Sequence, residues 1–326
     1  MTASRSHGFG LVEVMVSVAL GTFVAIAALA VHARTATEAR TALALQQVHE
    51  AARTALDLLE RELRAAGHLG PAPGAEAVAG TAVAGTRGAD FGASQCGPAV
   101  AVDLARAVTG ADGAYALERG RPLECEPAPW HRTVPGSDTL TVRRAASEPA
   151  PAERGRLQLA ATRTRGALFA NGSVPLLGPG TAVHDLEVGL YYVSADSSSG
   201  RGTPSLRRKR LVGGPAGPRF EDEELVVGVE DLQVEFGVDG PDPDEMPERY
   251  VTAAALDGAT IPRVVRLRLA VVAETRDPTA RHSNAPPTAR RDPRSNDPRA
   301  NRARLDDAHR RLVVERTVYL RNRRRS

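Results

Sequence analysis

Few side chains of this sequence could do chemistry, and the first of them is Glu13. It is a lone carboxylate at the mouth of the apolar run Val14 to Val31, roughly eighteen residues without a formal charge, which is about the length a helix needs to cross a bilayer. A carboxylate beside hydrocarbon is penalised by a few kcal/mol unless paired, so Glu13 reads as a functional group in need of a cation. Cys96 and Cys125 are too far apart for a Cys-x-x-Cys redox or zinc motif. Outside the cytoplasm they are a natural disulfide pair, closing a loop of about thirty residues and worth roughly 3 kcal/mol; otherwise they are two unrelated buried thiols. Asp239, Asp242 and Asp244 share an acidic loop with Glu245, and oxygen ligands so close together could hold calcium. Pro241 and Pro243, and the lack of EF-hand order, favour a solvated turn instead. The eight histidines show no His-Glu-x-x-His spacing, and the sequence carries no Gly-x-Ser-x-Gly, P-loop or dinucleotide fingerprint. No enzymatic activity and no other cofactor is expected.

The elements that must position Glu13 are helical. Ahead of the apolar run lie Met1 to Gly8, with Arg5 and His7 and no carboxylate, a short basic leader that keeps the N-terminus in the cytoplasm and sends the rest across. Ala25-Ile26-Ala27 and Ala28-Leu29-Ala30 match a secretory cleavage pattern only loosely, and helical periodicity runs through both, which favours a retained anchor. Leu45, Val48, Ala52, Leu56, Leu59 and Leu63 then recur at three- and four-residue spacing, forming one apolar face. Asp57 with Arg61 and Glu60 with Arg64 are i,i+4 pairs on the opposite side, read as a solvated face. No Pro or Gly interrupts the stretch from Thr22 to Ala66, and Gly67 with Gly70-Pro71 terminates it. From Phe9 to Ala66 such a rod is about 85 Å long.

With 326 residues, the chain can bury a sizeable core. Its 42 Lys and Arg nearly balance 39 Asp and Glu, which argues against a dedicated nucleic-acid binder. The Ala- and Gly-rich stretch from Pro71 to Gly120 reads as irregular. Strands are expected at 138–144, 156–161, 182–193, 224–229, 232–238, 264–273 and 311–320. Strands in succession with little helix between them predict an α+β fold, one antiparallel sheet behind one long helix. The Arg-, Pro-, Asn- and Asp-rich segment from Thr275 to Asp307 is predicted to be a disordered loop. Its arginines could draw DNA or phospholipid headgroups, but interleaved aspartates and missing aromatics favour plain solvation, as for the tail Arg323-Arg324-Arg325.

Gly8-Phe9-x-Leu11-Val12-Glu13 resembles the class III signal of type IV pilins and type II secretion pseudopilins. The resemblance implies that prepilin peptidase cuts between Gly8 and Phe9, that Phe9 becomes an N-methylated terminus, and that Glu13 pairs with the Phe9 amino group of a neighbouring subunit to set axial register. Gly10 departs from the commoner Thr or Ser. Residues 51–70 resemble the helix end of the PilW group of minor pilins, with the charge order at Glu60 and Arg61 shifted. Gly136-Ser137-Asp138, Tyr191-Tyr192-Val193, Leu225 to Gly237, Val264 to Leu269 and the closing Val318 to Arg323 are similar to that group too, whereas 71–135 and 275–310 carry little likeness.

The resemblance implies a leader at 1–8, a transmembrane and assembly helix at 9–67, and a periplasmic β-rich domain at 68–326. It implies a single-pass inner-membrane protein that passes into the pilus as a minor subunit, priming assembly in a tip complex. Its partners would be prepilin peptidase, the other minor pilins and the major pilin, and the inner-membrane assembly platform; nucleic acid is not expected. Similar sequences often carry an Asp/Gly-rich stretch near Asp239, which keeps calcium in view. A J-like minor pseudopilin of type II secretion shares the signal and the rod, and an anchored periplasmic binding domain that never assembles is the alternative of another class.

Overall fold

The computed structural model describes residues 10–82, 89, 91, 100–113, 133–200, 202–239, 246–256, 262–276 and 309–322. Gly8, Phe9, Cys96, Cys125, Asp242 and Asp244, and most of the 275–307 loop, lie outside the described residues.

One helix dominates. α1 runs from Leu11 to Ala65, 55 residues without a break. Its termination follows the expected chemistry: Gly67 adopts φ +75°, which an L side chain disfavours, and its N–H donates to Arg143 O at 2.9 Å. The orphan carbonyls of Ala65 and Ala66 accept from Asn322 Nδ2 at 3.3 and 3.1 Å, so the far end of the chain caps the helix. The buried stripe is Ala44, Val48, Ala52, Ala55, Leu56, Leu59 and Leu63. Leu45, expected on that face, is 41% exposed, because one residue turns the side chain by about 100° and Ala44 occupies the contact position instead.

The β part is α+β as expected but richer, and its strands form two sheets rather than one. They are β1 (Val78–Ala79), β2 (Val108–Ala111), β3 (Thr139–Ala145), β4 (Arg154–Ala161), β5 (Gly166–Asn171), β6 (Ala182–Ser194), β7 (Ser205–Val212), β8 (Arg219–Val227), β9 (Val229–Val238), β10 (Arg249–Val251), β11 (Val264–Arg276) and β12 (His309–Tyr319). An eight-stranded sheet has the order β1-β5-β4-β6-β3-β2, with β7 on β6 and β8 on β7; a four-stranded sheet has the order β10-β9-β11-β12. All pairs are antiparallel except β1 with β5.

The strand expected at 224–229 straddles the change of sheet. Gly228 stands between β8 and β9 at φ +90°, its N–H donating to Pro204 O and its carbonyl accepting from Val272 N, both at 2.7 Å. A Cβ there would lie 2.6 Å from Val272 O, so the turn between sheets needs glycine. β7, Ser205 to Val212, escaped the sequence reading because Arg207 and Lys209 break its apolar pattern. Both are nonetheless buried, paired to Asp222 at 2.7 and 3.1 Å on the neighbouring strand. β1, β2, β5 and β10 were missed for shortness or for their small residues.

Two cores result. One lies beneath α1 and joins Leu56, Leu59 and Leu63 to Leu140, Tyr191 and Phe236. The second, built from Leu69, Leu157, Leu159, Leu186 and Phe220 among others, lies away from the helix.

Candidate functional site

The N-terminal helix has two environments. From Leu11 to Val31 its large apolar side chains are exposed, Leu11 at 77% and Phe23 at 71%, and none of this stretch is buried against the domain. It is long and apolar enough to cross a membrane. Its few hydroxyls are satisfied within the helix: Ser17 Oγ donates to Glu13 O at 2.7 Å, and Thr22 Oγ1 to Val18 O at 2.9 Å. Such i−4 bonding removes the cost of a polar group in hydrocarbon. Glu13 sits in the first turn, after Gly10, which contributes no side-chain cap. The carboxylate is thus at the positive end of the helix dipole.

From Ala44 onward the helix is seated on the sheets, chiefly on β11 and β12. The polar side of this half is not the solvated face that its sequence suggested. Arg316 Nη1, on β12, donates to Asp57 Oδ1 at 2.6 Å and to Glu60 Oε2 at 2.7 Å. The hydrogen bond from Arg316, opposed by burial and helped by Arg53, holds the Asp57 carboxyl below its ordinary value. Glu60 also pairs with Arg64 as expected. Arg61, by contrast, donates to the main-chain oxygen of Asp57 at 3.3 Å, while the Asp57 carboxylate goes to Arg53 and Arg316. Glu62 reaches Arg144 of β3 at 3.2 Å and Arg208 of β7 at 3.5 Å, and Arg208 lies over the Tyr191 ring. The helix is therefore tied by charge to both sheets, in pairs that are individually weak and collectively directional.

A second junction joins the sheets themselves. The turn Gly136-Ser137-Asp138 lays its main chain along β9: Asp138 N donates to Leu232 O at 2.8 Å, and Leu232 N donates to Ser137 Oγ at 3.0 Å. The Asp138 carboxylate accepts from Val234 N and Gly113 N, both at 2.8 Å. Burial pushes this carboxyl up to about 6, with the two N–H groups pulling the other way and Asp112 and Asp231 adding to the rise. Beside it in β3, Arg143 is buried and donates to Val100 O at 2.6 Å and Arg106 O at 2.8 Å, holding the 100–109 segment to the sheet. Burial draws its guanidinium down to about 10 against the pull of Asp103.

Asp239 is the described member of the proposed calcium set, and its carboxylate is engaged by Arg263 at 2.7 Å. Asp242 and Asp244, the other two members of that set, lie outside the described residues. Among the described residues no group of three or more His, Cys, Asp or Glu could hold a metal ion. Arg144, Arg208, Arg316, Asn322 and the role of Asp138 were not anticipated as positioning groups. The only hint was that the runs holding Asp138 and Asn322 resemble the minor-pilin pattern.

The model of the prokaryotic N-terminal methylation motif matches residues 3–29, and the family model described as type IV pilus-assembly protein W matches residues 190–322. Comparison with curated proteins finds no match, and comparison with solved structures finds none. The first matched region contains Glu13 and the exposed half of α1; the second begins in β6 and closes on Asn322, the helix cap. The chain is thus similar to the prokaryotic N-terminal methylation motif over 3–29 and to the type IV pilus-assembly protein W family over 190–322.

Proposed function

We propose that this chain is a prepilin which, after cleavage between Gly8 and Phe9 by prepilin peptidase, becomes a minor subunit of a type IV pilus and primes its assembly in a tip complex. The observation that carries the reading is the division of α1: an exposed apolar half beginning at Leu11 and a seated half ending at the Asn322 cap. An apolar rod projecting from a folded domain is unstable in water and demands either lipid or a bundle of like helices. A subunit that moves from membrane to filament uses both in turn. The chain divides into a leader at 1–8, an assembly helix at 9–67 and a periplasmic domain at 68–326, with Cys96 and Cys125 joined there as a disulfide.

Within the bundle Glu13 supplies register. A carboxylate among packed apolar helices is penalised until the methylated amino group of a neighbour's Phe9 meets it, so only one axial offset satisfies the charge. The role is structural rather than catalytic, and its partners are the other pilins and the inner-membrane platform.

The test is made in cells that build the filament. Mass spectrometry of the mature protein is expected to show a chain starting at methylated Phe9. Glu13→Ala is expected to leave cleavage intact and to reduce incorporation to background. An uncut chain retaining Met1 to Gly8 would contradict the filament reading, and normal incorporation of Glu13→Ala would remove the register role.

A further inference from the structure

We infer that the outer edge of β12 docks an extended segment of a different subunit anchored in the same membrane, which adds to the four-stranded sheet as one more strand. The inference rests on the filament reading above. Among the described residues, β12 pairs with β11 alone, in unbroken register from Arg311 opposite Val272 to Tyr319 opposite Val264. Just beyond, Leu320 N donates to Arg263 O at 3.1 Å. Bonded pairs recur at every second residue of an antiparallel ladder. Leu312, Val314, Arg316 and Val318 therefore turn their main chain toward β11, and Arg311, Val313, Glu315, Thr317 and Tyr319 turn theirs outward.

Long open edges are normally protected by proline, lysine, a bulge or like charges. Between Arg311 and Tyr319 there is no Pro, no Lys and no register shift, and the charges of Arg311, Glu315 and Arg316 are engaged by Glu230, Arg266 and Asp57. On β12 the outward-facing residues are open, Val313 at 39% and Tyr319 at 52%.

The direction of β12 excludes pairing with β12 of a second copy. Arg316 lies beside Asp57 and Glu60, and Asn322 beside Ala65 and Ala66, so β12 runs parallel to α1. Antiparallel pairing of two copies would reverse one helix relative to the other, and both must enter one membrane in the same sense. A parallel copy related by a closed two-fold axis would set outward residues level with one another, whereas a parallel ladder needs them staggered by one residue. A different, co-anchored chain meets neither obstacle. Its strand would place β-branched or aromatic residues against Val313 and Tyr319, the pairings that stabilise neighbouring strands.

Main-chain hydrogen exchange reads the edge directly. Exchange is followed at single residues in the full chain in detergent and in filaments that contain it. Amides of Val313, Glu315 and Thr317 are expected to slow by about tenfold or more on assembly, while those of Val314 and Arg316 are slow in both states. Thr317→Pro removes one outward N–H and leaves the bonds to β11, so it is expected to lower incorporation about tenfold, with Thr317→Val as the unaffected control. Unchanged exchange in filaments that hold the chain overturns the inference and leaves the filament reading standing, as does normal incorporation of Thr317→Pro. Failure of the chain to enter filaments overturns both. Protection that grows with concentration in the isolated chain assigns the edge to a second copy and overturns the choice of partner. Should Thr317→Pro melt early, exchange in the unaltered chain decides.

Discussion

Asp138 is expected to make the junction between the two sheets stronger in mild acid. Its carboxyl lies near 3.8 in the unfolded chain and is pushed up to about 6 in the folded one by burial. At pH 7 it is ionised in both states, and the folded protein bears the full burden of a buried charge. As the pH falls below 6 the folded form takes up a proton that the unfolded form does not yet bind, so stability rises until the unfolded value is reached. Linkage between these two values yields about 2 kcal/mol of added stability at pH 4.5 relative to pH 7. For a domain of this size that is a shift of about 4 to 8 °C in melting temperature.

His68 acts in the opposite direction. Burial, then His184, then Arg144 hold its imidazole below the usual value, so the stability it contributes is lost as the pH drops below 6.5. The measurement must therefore be a difference. Denaturant unfolding of the unaltered chain and of Asp138→Asn is compared at pH 7 and pH 4.5. The asparagine places an amide donor against a main-chain N–H, losing one accepted bond for about 1 to 3 kcal/mol while removing the buried charge. The unaltered chain is expected to gain about 2 kcal/mol relative to the variant on acidification. Parallel pH dependence of the two, within about 0.5 kcal/mol, would refute the account of Asp138 as a desolvated carboxylate.

Two further perturbations test the fold that positions the long helix. Gly228→Ala sets a Cβ 2.6 Å from Val272 O at φ +90°, and is expected to lower stability by about 2 kcal/mol or more in thermal melts; an unchanged melt would show that the β8 to β9 turn relaxes freely. Leu59→Ala, at a fully buried position under α1, is expected to cost about 2 to 5 kcal/mol, whereas Leu45→Ala stays within about 0.5 kcal/mol; equal effects would restore Leu45 to the packed face.

The helix was legible because its signals are local. An uninterrupted apolar and then amphipathic stretch closed by Gly67 predicts its end within two residues, and the buried stripe from Val48 to Leu63 follows the 3.6-residue period. The long strands β3, β4, β6, β9, β11 and β12 were read within a few residues for the same reason. β7 was lost because its buried Arg207 and Lys209 depend on Asp222, a residue whose position opposite them no local pattern announces. The strand drawn through Gly228 failed because apolar alternation continues across a point where the chain changes sheets.

The candidate site divides in the same way. Glu13 could be picked out by its place before an apolar run, and the acidic loop at Asp239 by composition. The pairing of Asp239 with Arg263 depends on a residue 24 positions away. Glu60 looked like a solvent-facing charge, and Glu62 carried no signal of its own, because helical periodicity describes only the helix itself. Their partners, Arg316, Arg144 and Arg208, come from three separate strands.

By itself, the sequence determined that one end of this protein is a long apolar helix with a carboxylate at its mouth, and that a strand-rich domain follows. Those properties arise from neighbours along the chain. Only the tertiary structure decided that the strands form two sheets, that Asp138 clasps them, that Asn322 closes the helix end by bonding Ala66, 256 positions earlier, and that β12 pairs with β11 alone among the described strands. Each of these joins residues remote in sequence, and such pairings are settled by which charges and main-chain groups must be satisfied once the cores have formed.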